Sequence, residues 1–355
     1  MLLSPFFQSN WRTRTLHATA KRYPNTLAPS VEILRNYCAN SLPSLVSDPY
    51  ECWIDQFEAL GYDLAKFVPQ DRSGYYYLTF LEAQSGFATQ DCLLPCHEDG
   101  LTALLKRRVI DAVAKLNVMY SSQAEASGHP TLYIADLNVR GRERRTGGDI
   151  AFVFDVGSQY VCHCFQAKRT NIACNDPVDI RRGEDRDHDG GDQLRRLSRL
   201  AEVGVLSSYL FYNNDFEDRT EEPSAPIAKC IAHLLVNEEA ALDVYLNTDC
   251  CDMASYILRS VGGDLPEANL LDYRDLGAVI DALVREDVTH IVAVGNDSRS
   301  FDLVCALAND RGLVQRPIAS LRTGEIDFQA VANAAQINWD IGMADADNVA
   351  TLKFR

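Results

Sequence analysis

A carboxylate, a carboxamide and an ammonium group stand out in the stretch GGDIAFVFDVGSQYVCHCFQAKR, residues 147–169: they belong to Asp149, Gln166 and Lys168. Most of the rest is apolar, and burying such groups without partners is costly. The stretch reads as two strands joined at Gly157-Ser158, a two-residue hairpin turn. Counting back from that turn sets Asp149 directly opposite Gln166, and Gly147 opposite Lys168. Cross-strand partners share a face and alternate residues return to it. Asp149, Gln166 and Lys168 therefore project together at the open end of the hairpin. A slip of one residue would carry Asp149 off that face. Asp155, the other acid, falls opposite Tyr160, roughly 20 Å from Gln166 at the rise of an extended strand, and is excluded from the group.

The opposite face carries Ile150, Phe152, Phe154, Val156, Val161, His163 and Phe165, a core face. The polar face continues as Ala151, Val153, Cys162 and Cys164, small enough to lie beneath a helix. Both faces are thus expected to be covered, with a carboxylate and an ammonium at the edge of a buried sheet. A metal ion and a phosphate would supply their partners. Plainer readings stand beside this one. Asp149 could be a strand-edge residue after two glycines, Lys168 a lysine reaching out from a sheet rim, and the two a structural ion pair. On that last reading Asp149→Ala lowers stability by stranding a buried charge.

The elements that must hold these groups are legible on either side. From Glu98 the apolar residues Leu101, Leu104, Leu105, Val109, Ile110, Val113, Leu116 and Val118 mark a long amphipathic helix. A strand follows over 131–137, then the hairpin, then a helix from Gln193 to Val203 that ends at Gly204, then the strand VLSSYLFYNN. The order helix, strand, strand, strand, helix, strand packs naturally as a mixed sheet flanked by helices, an α/β fold. It divides the chain into a mostly helical region 1–92, a core 93–215 and a mixed α/β extension 216–355. In the first region 31–40 and 50–67 have helical spacing, and Tyr75 to Leu78 reads as a short strand. In the last, 226–235 and 276–285 read as helices and THIVAVGND as a strand.

The chain has 355 residues with a net charge of −16, which argues against free association with nucleic acid. Between Arg140 and Arg199, however, 12 Lys and Arg meet 10 Asp and Glu, leaving 22 basic against 40 acidic residues elsewhere. The hairpin sits in the one segment that escapes the acidic bias. The 11 cysteines form no regular framework, which points to reduced thiols and a cytoplasmic setting. No run of apolar residues is long enough for a membrane span.

Asp149 with Gln166-Ala167-Lys168 resembles the PD-(D/E)xK nuclease superfamily in its Gln-x-Lys variant, whose core has this same order of elements. ERRTGGD, with Glu143 six residues before Asp149, is similar to the lead-in of some prokaryotic restriction and phage-defence nucleases; DQLRRL and SSYLFYNN resemble the later helix and strand of the same proteins. The likeness covers about residues 95–215. It implies a restriction-endonuclease-like core with N- and C-terminal extensions, and a Mg²⁺-dependent endonuclease, with Mn²⁺ as a substitute, acting on DNA in the first place, with an RNA-directed nuclease as the alternative. Asp149, Gln166, Lys168 and Glu143 would be catalytic. Asp149 and Gln166, with Glu98 or Glu143 and the Ala167 carbonyl, would hold the metal. Arg142, Arg144, Arg145, Arg169 and Gln193 would meet the nucleic acid, with Arg140, Arg181 and Arg182 nearby. A defence role follows from the likeness alone. Gln166, being neutral, leaves open a catalytically silent binding module. The acidic charge suggests a protein partner or activator, and an oligomer is compatible with all of this. Glu98-Asp99 could equally be acids favoured in a helix's first turn, Glu143 a surface ion-pair member, and Gln193 a structural residue.

Two metal motifs are set aside. Asp185, Asp187, Asp189 and Gly190 begin like a calcium loop, but position twelve, which should be Glu, is Arg196. Cys162 and Cys164 point away from His163 on a strand, and Cys92 and Cys96 are too widely spaced for a zinc knuckle.

Overall fold

The computed structural model describes residues 71–119 (save 93 and 95), 132–137, 147–170 (save 158), 177–180, 192–213, 225–231, 243–246, 250–272 (save 266 and 267) and 291–294. The expected helices 31–40, 50–67 and 276–285 lie outside these residues. Helix α1, Arg72–Gly86, starts at an Asp71 cap whose side chain accepts the Gly74 N–H, and continues into a π-helical turn, Phe87–Asp91. It takes the place of the strand expected at Tyr75 to Leu78. From Gly74 to Gly86 every residue of α1 is buried, the polar Thr79, Glu82, Gln84 and Ser85 included, so no solvent face marks an amphipathic period. Helix α2, Glu98–Met119, matches the expected long helix.

Strands β1 (Leu132–Asp136), β2 (Ile150–Asp155) and β3 (Tyr160–Thr170) form an antiparallel meander. The register is the one counted from the turn: Ile150 faces Phe165, Asp155 faces Tyr160, and Val156 N–H donates to the Gln159 carbonyl around the turn. A short strand β4, Pro177–Asp179, interrupts what reads as loop in the sequence. Helix α3, Asp192–Leu200, passes through a 3₁₀ turn, Ala201–Val203, to Gly204, which adopts φ +84. That left-handed stop favours glycine. Strand β5, Val205–Asn213, then runs parallel to β3, so β3, α3 and β5 make a crossover unit.

The sheet continues past residue 215. Strands β6 (Ile227–Cys230) and β8 (Cys250–Asp252) extend it beyond β5, and β9 (Ile291–Val294) pairs with β1. The full order is β8-β6-β5-β3-β2-β1-β9; β4 pairs separately with β7, Asp243–Tyr245. The helix expected over 226–235 is thus strand β6 over its described part. Its residues are buried throughout, and a short buried apolar run carries no periodicity to separate helix from strand. The strand-like 291–294 segment is a strand, as read.

Both faces of the sheet are covered at the hairpin and the adjoining β5. One carries Phe152, Phe154, Phe165 and Leu210 against α1, α2 and α4 (Met253–Val261). The other carries Val153, Cys162, Cys164 and Phe211 against Leu197 and Leu200 of α3. Asp155 has a structural role at the turn end. Its Oδ1 accepts the Gly157 N–H, its carbonyl accepts the Tyr76 hydroxyl at 2.7 Å, and Arg72 Nη1 lies 2.5 Å from Oδ1 as an ion pair at an angle that gives no hydrogen bond. Among the described residues no helix is long and apolar enough to cross a membrane.

Candidate active site

The site is made by a difference in strand length. β3 has 11 residues and β2 has 6, so the far end of β3 overhangs its neighbour. The edge that faced β2 then presents N–H groups of alternate residues with no strand to accept them, and a buried N–H left unpaired is costly. Side chains answer this need. Asp149 Oδ2 accepts the Ala167 N–H at 2.7 Å, and Glu98 Oε2 accepts the Arg169 N–H at 2.9 Å. Two carboxylates thus cap consecutive outward N–H groups of β3, roughly 7 Å apart at the rise of a strand. The Ala167 carbonyl points to the same edge, between them.

Gln166 donates from Nε2 to Asp149 Oδ2 at 2.7 Å and to the Ala167 carbonyl at 3.1 Å. Its Oε1 is buried with no hydrogen-bond partner. Asp149, Gln166 and Lys168 are 2%, 1% and 8% exposed. Among the described residues the Lys168 ammonium has neither an ion-pair nor a hydrogen-bond partner, so the rival reading of a structural Asp149–Lys168 ion pair finds no such contact. Arg169 is exposed and donates from Nη1 to the Cys96 carbonyl at 3.0 Å. Gln193, on α3, is buried with its Oε1 unpartnered.

The two glycines before Asp149 bring the strand up to α3. Gly147 has φ +72, and a Cβ there would stand 2.7 Å from the Gln193 carbonyl. At Gly148 a Cβ would overlap the Cys164 sulfur. Neither position admits a side chain, which is how the chain passes beneath α3 and delivers Asp149 to the β3 edge.

Of the expected site residues, Asp149, Gln166, Ala167, Lys168, Glu98 and Arg169 are placed at this edge, and Gln193 above Gly147. Glu143, Arg140, Arg142, Arg144, Arg145, Arg181, Arg182 and the acids of the calcium-like loop lie outside the described residues. Sequence reasoning passed over Tyr212 and Thr102. Tyr212, fully buried on β5 opposite Arg169, shares a hydrogen bond of 3.2 Å with Thr102 Oγ1. Burial, with smaller contributions from the Asp149 and Glu98 carboxylates, holds its phenol well above the usual range. The one available signal was Thr102's spacing of four from Glu98, which puts them on one helix face.

The described cysteines are all free thiols. Burial pushes Cys162 and Cys164 up, and Cys92 donates to the Asn213 carbonyl at 3.0 Å. Among the described residues no three His, Cys, Asp or Glu side chains cluster closely enough to hold a metal; the oxygen donors at the β3 edge are two carboxylates, a carboxamide and a main-chain carbonyl. No family model matches the chain, and no curated protein matches it.

Proposed function

We propose that the chain is a Mg²⁺-dependent phosphodiesterase acting on nucleic acid, in the first place a cytoplasmic DNA endonuclease. The observation that carries this is the capped edge of β3: Asp149 and Glu98 flank the Ala167 carbonyl, with the Lys168 ammonium, unpaired among the described residues, two residues along the strand from Gln166. Apart from the short β4, which lies outside the main sheet, the order α2, β1, β2, β3, α3, β5 agrees with the PD-(D/E)xK core and supports the restriction-endonuclease-like reading.

The donors suit the metal. All are hard oxygen atoms, and the unpartnered Gln166 Oε1 is a buried acceptor in want of a positive neighbour. Mg²⁺ prefers such ligands, takes one or two carboxylates and retains waters; Mn²⁺ accepts the same set. Asp149, Glu98, the Ala167 carbonyl and Gln166 would hold it, and its chemistry there is to acidify a water and offset charge on phosphorus. The chain's own part is to bind and orient. Lys168, with three donors and no acceptor, binds a phosphate oxygen and stabilises the charge that builds up on it as the P–O bond breaks. Arg169, exposed at the rim, meets the nucleic-acid backbone. Gln193 orients phosphate from above Gly147. The net charge of −16 makes a delivering partner or activator part of this reading, and a phage-defence role follows from the family resemblance.

A second reading is a silent nucleic-acid- or partner-binding module. It is favoured by the neutral Gln166 and by carboxylates already occupied with main-chain N–H groups. Cleavage of supercoiled plasmid, linear duplex and RNA by wild type, Asp149→Asn and Lys168→Ala, with Mg²⁺, Mn²⁺ or EDTA, separates the readings. Metal-dependent cutting lost in both variants supports the nuclease. Metal-independent binding with no cutting of any substrate supports the module, and a preference for RNA moves the substrate assignment.

A further inference from the structure

The position of the Glu98 carboxylate is set from β5. Thr102 Oγ1 donates to the Glu98 carbonyl at 3.1 Å, one turn back along α2. A hydroxyl has one hydrogen to give, so in the 3.2 Å contact between Thr102 Oγ1 and the Tyr212 hydroxyl it is Tyr212 that donates. Tyr212 is the register partner of Arg169, and Arg169 is the residue whose N–H the Glu98 carboxylate caps. The loop closes: β5 carries Tyr212, Tyr212 holds Thr102, Thr102 holds the first turn of α2, and that turn sets Glu98 on β3 beside its own starting point. The Tyr212 ring is itself wedged against Phe87 of the π-helical turn, with centroids 5.1 Å apart. Tyr212 and Thr102 are both buried, and the chain of contacts reaches solvent only at Glu98 and Arg169.

We propose that Tyr212 and Thr102 are positioning residues that fix the Glu98 carboxylate relative to Asp149, and so set the affinity of the site for a divalent cation. The proposal rests on the metal-site reading above. It predicts an effect on cation affinity that is separable from any effect on folding, because Tyr212→Phe keeps the ring in its packing and Thr102→Val keeps the side-chain shape.

The test is calorimetric titration of the full chain with Mn²⁺, with thermal melts in EDTA alongside. Tyr212→Phe and Thr102→Val are each expected to weaken Mn²⁺ binding by about tenfold, the usual scale for loss of an outer-shell partner. Thr102→Ser, which keeps the hydroxyl, should restore wild-type affinity, and melts in EDTA should move little. Unchanged Mn²⁺ affinity in both variants, while Glu98→Ala and Asp149→Asn weaken it, overturns the positioning role and leaves the metal site standing. A lower melt in EDTA with unchanged affinity makes the hydroxyl pair purely structural and also overturns it. If wild type binds no Mn²⁺, or if Glu98→Ala and Asp149→Asn leave binding unchanged, the metal-site reading fails and the proposal falls with it.

Discussion

Asp149 offers the sharpest separation of structure from chemistry, through the contrast between two substitutions. Asp149→Ala strips the acceptor from two buried donors, the Ala167 N–H and Gln166 Nε2, both at 2.7 Å. Each stranded donor costs about 1–3 kcal/mol. Relief of the carboxylate's own burial offsets part of this, so a net loss of about 2–4 kcal/mol is expected in metal-free buffer. Asp149→Asn has nearly the same shape. Its carboxamide oxygen, set where Oδ2 stands, still accepts from both the Ala167 N–H and Gln166 Nε2. The loss is then about 1 kcal/mol or less, the difference between charged and neutral hydrogen bonds. Both variants lack the negative charge, and on the nuclease reading proposed above metal-dependent cleavage is expected to fall at least about 100-fold in each. Urea unfolding in EDTA, followed by plasmid cleavage in Mg²⁺, reads both quantities. Asp149→Ala as stable as wild type would refute the ladder-capping argument. Wild-type cleavage by Asp149→Asn would refute the role of the charge. Stability alone does not separate a metal site from a structural acid here, because the main chain depends on Asp149 under either.

Other outcomes follow from the same structure. His163 is buried among Phe154, Phe165 and Tyr256 with neither ring nitrogen hydrogen-bonded, and burial pushes its pKa down to about 3 from 6.5. The unfolded chain takes up that proton first, so the contribution is intact above about pH 6.5 and is lost as pH falls toward 3, about 2 kcal/mol of it by pH 5. His163→Phe should remove this part of the acid sensitivity; identical pH profiles in urea melts would sink the idea. Gly147→Ala must adopt a left-handed conformation and push on the α3 main chain, so it should lose about 2 kcal/mol or more, with cleavage falling as Gln193 shifts; a neutral effect in both assays would contradict the close approach. Arg72→Met, which removes the ion pair at the far turn, should cost about 1–3 kcal/mol while leaving cleavage per folded molecule unchanged, and a selective loss of activity would count against separating Asp155 from the site.

The hairpin was the most legible part of the sequence. A two-residue turn with alternation on both sides fixes register, and register alone gathered Asp149, Gln166 and Lys168. Helices α2 and α3 and the stop at Gly204 were equally plain, since each has one apolar face or a glycine where φ turns positive. What failed was whatever lost its period by burial: α1 is covered on every side, and β6 is a short apolar run. Asp149 was expected as a charge seeking a cation. That it also replaces a missing strand depends on β3 outrunning β2, which two unequal apolar runs do not announce. The part played by Tyr212 and Thr102 depends on β5 lying parallel to β3 beneath the start of α2, a long-range arrangement that spacing along the chain does not encode.

The overhang of β3 also bears on how copies of this protein treat one another. A strand that outlasts its neighbour is a template on which another chain can add by edge-to-edge pairing. Here the two N–H groups such a chain would use are taken by Asp149 and Glu98, and the negative charge there repels an incoming backbone carbonyl. The same two side chains therefore guard this edge against strand addition. Removing both caps, in a paired Asp149→Ala and Glu98→Ala change, is expected to uncover the template. Its expected signature is growth of cross-strand aggregates, which rises with protein concentration.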